Sequence, residues 1–338
     1  MIDPTIPLSD LHRHLEGSIR LTTILDIGHK FGLPLPAENE QGLRPYVQVT
    51  VPQTSVMQFI ANFEWPMRIL VNNDICHRVA FEAVEDAHRE GIDYLELRFS
   101  PWFMAEAHAL DPIGIVEAVC DGTEAASRSF DVRVNLTGIL SRTYGPEIAY
   151  RELHALLSQH ERIQALDLAG DEANWPGELF VDHFRKARDV GWHITVHAGE
   201  SVGPQSIWQA VQGLGAERIG HAVHALEDEA LLDYMLENQI GVEANLTSNV
   251  QTSTVASYAE HPMRRFLERG LRAALASDDP GISGIDLPYE YQVAAPAAGL
   301  TREQIRQAQL NSLEISFLSP PEKVDLWAKK SVNQETGG

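Results

Sequence analysis

The chain has 338 residues, 44% of them hydrophobic, which is enough to bury the core of one α/β barrel. Its 48 acidic and 26 basic residues give a net charge of −22, so nucleic acid and anionic membranes are not expected partners. We expect neither a signal peptide nor a transmembrane helix, because no long apolar run is present. The two cysteines, Cys76 and Cys120, form no disulfide framework, and we expect a cytoplasmic protein.

Short β-rich runs recur along the chain, and a helix-like stretch follows each of them. This alternation predicts βα units with parallel strands. Eight such units predict an α/β fold, a (β/α)8 TIM-like barrel formed by a single domain over residues 1–338. The predicted strands are 8–15, 92–100, 132–140, 163–170, 193–199, 218–223, 240–248 and 272–279.

The connection between the first two strands is much longer than the others. Its last helical pattern is the expected crossover helix, and residues 16–75 are predicted to form a helical insertion at the carboxyl face of the barrel. Its apolar side chains either form a lid or only anchor extra helices to the barrel. These side chains are Met57, Phe59, Ile60, Phe63 and Trp65. At the other end of the chain, residues 332–338 are predicted to be a loose tail.

The first strand carries His12 and His14 in the sequence LHRHLEG. Alternate residues of a strand face the same side, so both imidazoles are expected to point into the barrel. Two histidines at this spacing are a weak signal when taken alone. A lone strand histidine is more often a hydrogen-bonded core residue, and His193 is interpreted in that way. The helical histidines, including His183, are interpreted as surface residues.

Three later strands also end in polar side chains. They contribute His197 in HITVHAGE, His221 in RIGHAV, and Asp278 and Asp279 in LASDDPG. The carboxyl ends of barrel strands converge, so these side chains are expected to meet the first two histidines. Histidine and aspartate ligands suit a divalent transition ion such as zinc, with one position left for water. Such an ion lowers the pKa of bound water to roughly 7, which predicts hydrolysis at neutral pH.

Several residues near this cluster have two possible interpretations. Glu200 could protonate a substrate nitrogen, or it could be a helix N-terminal acid stabilised by the helix dipole. His221 could orient the attacking water or accept its proton. Asp278 and Asp279 are adjacent, so one could bind the metal while the other contacts substrate. Gly170, in DLAGDE, permits close backbone approach of a ligand or only a tight turn.

The motifs DLHRHLEG, LDLAGDE, HITVHAGE, RIGH and SDDPG stand in the order found in the adenosine deaminase family of the metal-dependent amidohydrolases. The resemblance runs from about residue 7 to about residue 325 and is nearest to bacterial members. It implies one zinc ion held by His12, His14, His197 and Asp278. The HxE and PCxxC signature of the cytidine deaminases is absent.

The resemblance also implies the roles of the remaining site residues. Glu200 would protonate purine N1, and His221 would assist the water that attacks C6. Asp279 would bond N7, and the Gly170 N–H would reach N3. The implied substrate-binding set is His14, Glu16, Gly170 and Asp279. The implied reaction converts adenosine or 2′-deoxyadenosine to inosine or 2′-deoxyinosine and ammonia, on a small-molecule nucleoside, with monomer or homodimer left open.

Two positions depart from the family pattern. Glu16 stands where the nucleoside enzymes usually carry an aspartate that contacts the ribose 5′-hydroxyl. A different 6-aminopurine therefore remains an alternative substrate, either adenine or a 5′-substituted adenosine such as aminodeoxyfutalosine. Ala222 stands where glycine is common, which is expected to affect only local packing. A catalytically inactive purine-binding relative is the alternative of another class, although every expected site position is filled.

Overall fold

The computed structural model describes residues 2–336, which fold around one closed ring of strands. Within that range, eight parallel strands pair in sequence order. They are β1 (Ser9–His14), β2 (Tyr94–Phe99), β3 (Arg133–Ser141), β4 (Ala165–Ala169), β5 (His193–Ala198), β6 (Arg218–His221), β7 (Gly241–Ala244) and β8 (Ala273–Leu275). A bridge between Arg13 and Asp278 joins the last unit to the first. The predicted (β/α)8 barrel is confirmed.

Helices connect the strands and cover the outside of the barrel. The α-helices are α1 (Leu21–Phe31), α2 (Glu40–Val47), α3 (Val56–Ile60), α4 (Glu64–Arg68), α5 (Asn73–Arg89), α6 (Pro101–Glu106), α7 (Pro112–Ser127), α8 (Gly145–Leu157), α9 (Val181–Asp189), α10 (Pro204–Trp208), α11 (Glu229–Glu237), α12 (Leu246–Gln251), α13 (Met263–Glu268), α14 (Pro280–Ser283), α15 (Leu287–Tyr289), α16 (Ala295–Ala297), α17 (Arg302–Glu314) and α18 (Pro320–Thr336). Helix α5 is the crossover between β1 and β2. Its first turn is capped by Asn72, whose side chain accepts the Ile75 N–H.

Helices α1 to α4 occupy the region predicted as an insertion. Phe59, Phe63 and Trp65 of this region are buried, whereas Met57 is 41% exposed. All of these except Trp65, together with Ile60, line the main pocket of the barrel mouth. The insertion therefore supplies an apolar wall to that pocket, and its action as a lid stays a prediction.

The last two strands are shorter than the sequence pattern predicts. Strand β7 ends at Ala244, and helix α12 begins only two residues later. Strand β8 ends at Leu275, so Asp278 lies in the following loop. Its backbone has a φ of 60°, which is incompatible with a continuing strand. Backbone hydrogen bonds of 2.8 Å with His12 and His14 nevertheless hold Asp278 against β1.

Two histidine interpretations are wrong. His193 is no core residue, because it lies at the amino end of β5, where its side chain is 44% exposed and stacks on Phe317. His183 is buried, not on the surface. Its Nε2 donates to the Pro146 carbonyl at 2.9 Å, and its ring stacks on Tyr150. His183 therefore lies on the buried face of the amphipathic helix α9, although the polar residues around it in the sequence suggested an exposed position.

The segment 332–338, predicted to be a loose tail, includes the last residues of helix α18. The backbone of α18 continues to Thr336, since no glycine or proline interrupts the sequence before residue 337. Residues 337 and 338 lie outside the described part of the chain. Among the described residues, no helix has the length and apolarity required to cross a membrane.

Candidate active site

Four predicted metal ligands converge at the carboxyl end of the barrel. His14 Nε2 lies 3.3 Å from His12 Nε2, 3.2 Å from His197 Nε2 and 3.3 Å from Asp278 Oδ1. His12 Nε2 lies 3.1 Å from the same Asp278 oxygen. Tetrahedral ligands about 2.0–2.1 Å from a zinc ion stand about 3.3 Å from one another. The spacing of these four atoms therefore fits one zinc-sized ion.

Two carboxylates outside the cluster orient its histidines. His12 Nδ1 donates to Glu243 Oε2 at 2.7 Å, and His197 Nδ1 donates to Asp167 Oδ2 at 2.9 Å. Each Nδ1 therefore carries the proton, and each Nε2 directs a lone pair toward the centre. Several hydrogen-bond acceptor atoms therefore face one another with no hydrogen-bond donor between them. Such a group of atoms is suited to bind a cation.

The third nitrogen ligand, beside those of His12 and His197, is not fixed by proximity alone. One group of neighbouring ligand atoms comprises His12, His197, His221 and Asp278, and a second comprises His14, Asp278 and Asp279. His221 Nε2 is 3.8 Å from Asp278 Oδ2, a longer separation than that of His14 from the same carboxylate. The distances favour His14 over His221 in the metal set.

A buried ionic network supports the two orienting carboxylates. Arg98 donates to both Asp167 and Glu243 at 2.8 Å, and Arg218 donates to Glu243 at 2.7 Å and to Glu96. These side chains are at most 1% exposed. Burial alone would raise the pKa of Asp167, but His197 and Arg98 outweigh burial and hold it below its usual range. Asp167 thus stays ionised beneath its histidine.

Sequence reasoning missed this network, although a signal for it existed. Charged residues interrupt otherwise apolar strands in LELRF, ALDLA, RIGH and GVEA. A parallel barrel strand is buried on both faces, so a charge inside it needs a partner from another strand. Counting such charges would have predicted an internal ion-pair layer without naming its pairs.

Glu200 lies at the edge of the cluster with its side chain buried. Burial raises the pKa of Glu200 well above its ordinary value, and the charges of Asp278 and Glu172 raise it further. Its Oε1 is 3.8 Å from His221 Nδ1. A carboxyl group whose pKa is raised holds its proton to a higher pH and is suited to donate it to a substrate atom.

The loop that carries Glu200 is held by Glu172, a residue that the sequence analysis gave no role. The Glu172 carboxylate accepts the backbone N–H groups of four successive residues, at 2.6, 3.2, 2.8 and 3.3 Å. These residues are Gly199, Glu200, Ser201 and Val202. It also accepts the Ser206 hydroxyl. Glu172 follows Gly170 in the DLAGDE motif, so the loop after β4 fixes the loop after β5.

Three non-glycine residues in the left-handed region of backbone conformation lie at these strand ends. His221 has a φ of 66°, Ala222 of 53° and Asp278 of 60°. Such conformations cost about 1–2 kcal/mol for a residue with a Cβ atom and cluster at functional sites. A glycine at position 222 would adopt this conformation without that cost.

Glu16 and Asp279 line the same pocket as the apolar wall and are both buried. Glu16 Oε1 accepts the Ser100 N–H at 2.6 Å, and burial raises the pKa of Glu16 to about 7. Glu16 Oε2 and Asp279 Oδ1 have no hydrogen-bond partner within residues 2–336. A Cβ atom at Gly17 would lie 1.8 Å from Asp279 Oδ1, so glycine is required at position 17 for these two segments of the backbone to lie this close. The unpaired oxygens are available to a ligand.

Gly170 lies at the end of β4, on the wall of the same pocket. Its φ is 111°, and a Cβ atom there would lie 2.4 Å from Thr143 Oγ1. Glycine is required at this position, and its backbone is exposed to the pocket. All nine predicted site residues are thus brought together, with His12 beneath the pocket. Those lining it are His14, Glu16, Gly170, His197, Glu200, His221, Asp278 and Asp279.

Comparison with known proteins agrees with this geometry. The family model "Adenosine deaminase" matches residues 7–331. The adenosine deaminase of Salmonella schwarzengrund (strain CVM19633) is 57% identical over 323 residues, which cover 96% of this chain and 97% of that protein. The adenosine deaminase of Escherichia coli O1:K1 / APEC is 56% identical with the same coverage.

A solved structure shows the same fold at lower sequence similarity. The adenine deaminase of Arthrobacter aurescens is 23% identical and covers 98% of this chain and 99% of its own, with a TM-score of 0.89. The family match and the bacterial relatives confirm the resemblance that the motifs indicate. The chain belongs to the adenosine deaminase family.

Proposed function

We propose that this protein is a zinc-dependent hydrolase that deaminates adenosine and 2′-deoxyadenosine to inosine and 2′-deoxyinosine, with release of ammonia. The observation that carries the proposal is the convergence of four metal-ligand atoms beside the buried Glu200, whose pKa is raised by burial, in the pocket at the barrel mouth. The high identity to bacterial adenosine deaminases supports the same substrate.

The proposed metal ligands are His12, His14, His197 and Asp278. Three imidazoles and one carboxylate form a donor set that zinc favours over magnesium or calcium. When bound, zinc lowers the pKa of water, so that a nucleophile is available at neutral pH. His12 and His197 are held for this task by Glu243 and Asp167.

The proposed substrate contacts match donors of the protein to acceptors of the purine. Ring nitrogens N1, N3 and N7 of adenosine are all acceptors. Glu200 donates its proton to N1, the Gly170 N–H donates to N3, and Asp279 contacts N7 as a carboxylic acid. His221 orients the water that attacks C6 or accepts its proton. Burial, together with the charge of Asp278, raises the pKa of Asp279, which supports the acid form.

A second candidate function is supported by Glu16. Its side chain is one methylene longer than the usual aspartate, and one of its oxygens is unpaired among the described residues. Deamination of adenine, or of a 5′-substituted adenosine such as aminodeoxyfutalosine, is therefore the alternative. In either case the partner is a small purine.

The cellular setting and chain organisation belong to the same proposal. Cys76 and Cys120 are unpaired and buried, and burial raises the pKa of each thiol to about 12. Such thiols suit a reducing compartment, and we place the enzyme in the cytoplasm. The chain acts as a single barrel domain in which the insertion over residues 16–75 covers the pocket.

A substrate panel tests the proposal. The values of kcat/KM would be measured for adenosine, 2′-deoxyadenosine, adenine and 5′-substituted adenosines on protein whose metal content is known. Adenosine and its deoxy form are expected to be the best substrates, with one zinc per chain. If adenosine trails a rival about a hundredfold, the substrate assignment is wrong. Absence of both metal and ammonia release would favour an inactive purine-binding relative.

A further inference from the structure

A buried chain of hydrogen bonds reaches His221 from α12 and α13. The Met263 backbone N–H donates to His261 Nδ1 at 3.1 Å. His261 Nε2 lies 3.1 Å from Asn249 Oδ1, and Asn249 Nδ2 lies 3.0 Å from His221 Nδ1. His261, Asn249 and His221 are at most 3% exposed. These contacts connect a helix terminus to the residue proposed to act on the attacking water.

The first donor fixes the direction of the whole chain. A backbone N–H can only donate, so His261 Nδ1 accepts and its ring proton lies on Nε2. That proton is donated to Asn249 Oδ1, which leaves the Asn249 NH2 group facing His221. His221 Nδ1 therefore accepts as well. Burial lowers the pKa of His261 to about 3, so its ring stays neutral and keeps one N–H.

The consequence is a single state of the His221 ring. Because Nδ1 is an acceptor, the ring is neutral and its proton lies on Nε2. This nitrogen faces the metal ligands, 3.8 Å from Asp278 Oδ2. Asn245 Nδ2 lies 3.4 Å from His221 Nδ1 and 3.5 Å from His221 Nε2, so it favours neither ring nitrogen. An Nε2 that carries a proton has no lone pair for a metal or for a proton from water.

We infer that Asn249 and His261 are positioning residues that hold His221 in the Nε2–H form, so that His221 donates a hydrogen bond to the attacking water and does not bind the metal. The inference rests on the proposed function. In the proposed function His221 either orients the attacking water or accepts its proton. The inference selects the first role, because a nitrogen that already holds a proton can only donate a hydrogen bond to the water. It also leaves His14 as the third metal nitrogen, beside those of His12 and His197.

The substitution Asn249→Asp tests the direction of the chain. A carboxylate cannot donate, so His221 Nδ1 must take the proton and Nε2 must lose it. In zinc-loaded protein labelled with 15N-histidine, the His221 ring signals are expected to change from the Nε2–H to the Nδ1–H pattern. His221→Gln identifies those signals. We expect kcat for adenosine to fall on the order of 100-fold, with a much smaller change in KM.

A second pair of variants removes the dependence on a buried carboxylate. His261→Gln can still donate to Asn249 through its amide nitrogen and is expected to keep the His221 signals and most of kcat. His261→Leu cannot donate, and it is expected to lose both. Asn311→Asp is the matched control, because Asn311 is also buried and donates to a carbonyl, that of Ala273, away from the site. It should lower stability and leave the His221 signals unchanged.

The outcomes separate this inference from the proposed function. An Nδ1–H pattern in the unaltered protein would overturn the inference and leave adenosine turnover intact. A changed pattern in Asn249→Asp with kcat within about twofold of the parent would overturn the donor role of His221. Failure to deaminate any aminopurine would overturn the proposed function, while the ring signals would still report the His221 proton.

Discussion

Ser100 donates its backbone N–H to Glu16 Oε1 at 2.6 Å, which leaves Glu16 Oε2 buried and unpaired among the residues that the structure describes. A buried unpaired carboxylate oxygen costs free energy unless a ligand supplies a donor. Glu16 lines the same pocket as Gly170 and Asp279, which contact the purine in the proposed function. Because those two residues are assigned to the purine base, Glu16 is expected to contact the part of the substrate beyond the base.

The substitution Glu16→Gln is expected to lower kcat/KM for adenosine about 10- to 100-fold, the value of one hydrogen bond to a charged group. The carbonyl oxygen of glutamine can still accept the hydrogen bond from the Ser100 N–H. Its NH2 group, however, cannot accept a hydrogen bond from a hydroxyl of the substrate. Adenine lacks the ribose, so its kcat/KM should change little. Glu16→Asp, which keeps a carboxylate, is the matched control. Equal losses for adenosine and adenine would contradict a role for Glu16 beyond the base.

Glu200→Gln is expected to retain the metal and lose nearly all kcat, because an amide cannot deliver the proton to N1. General acid catalysis is typically worth about 10²–10⁴-fold. In the unaltered enzyme burial raises the pKa of Glu200, so kcat/KM should fall on the alkaline side as this proton is lost. Metal analysis and pH–rate profiles check both points. Retained activity in the variant would remove Glu200 from this role, and the exposed Glu227→Gln serves as control.

The elements and ligands that sequence predicted share a local periodic signal. His12 and His14 are two residues apart on a strand, and a strand's period of two sends both side chains inward. The barrel itself follows from repeated βα units, which made every strand-end ligand a neighbour of the others. The site could therefore be predicted without any knowledge of which strands were adjacent.

The residues that sequence reasoning missed act through bonds that leave no such pattern. Glu172 binds a loop 27–30 residues away, and Arg98 joins carboxylates from two other strands. Asn249 reaches His221 across 28 residues from the first turn of α12, a helix whose first three residues were predicted as the end of a strand. Their partners are set by the closed barrel, so they appear only in three dimensions.

Glu172→Ala is expected to lower kcat more than it changes KM, because the loop that positions Glu200 loses its acceptor. Four backbone N–H groups would lose their partner, and an unsatisfied buried group costs about 1–3 kcal/mol. The free energy of unfolding should therefore fall as well. Steady-state kinetics and denaturant unfolding measure the two effects. Asp171→Asn alters the neighbouring acid, which only caps a turn at Asn174, and should be nearly neutral.

Asp167→Asn is expected to weaken metal binding about 10- to 100-fold, the usual effect of removing an orienting carboxylate. Without the charge of Asp167, the Nδ1 proton of His197 is less firmly held and the Nε2 lone pair is less basic. Competition with a chelator followed by metal analysis measures the affinity. Unchanged affinity would show that the His197 ring is oriented by packing alone. Asp171→Asn is again the control, since it removes an acid from the loop that directly follows β4.

Glu152 provides a prediction for the pH dependence of stability. Its carboxyl group is buried and accepts the Ser100 hydroxyl and the Ser141 N–H. Burial raises its pKa to about 8 from an ordinary value of 4.5, with a further increase from Glu16. Between these two values the folded protein holds a proton that the unfolded chain has released. The stabilisation is therefore complete below the lower value and is lost as pH rises through the higher one.

The substitution Glu152→Gln removes this titration and keeps an acceptor for the Ser100 hydroxyl. The free energy of unfolding of the parent should fall relative to that of the variant as pH rises from about 6 to about 8.5, the window set by the raised pKa. Denaturant unfolding at matched metal concentrations measures the difference, and titration of the metal-binding histidines affects both proteins alike. Glu147→Gln, an exposed acid on the same helix α8, should run parallel to the parent. A Glu152→Gln curve that also runs parallel would mean that Glu152 is ionised in the folded protein, stabilised by its hydroxyl and N–H donors.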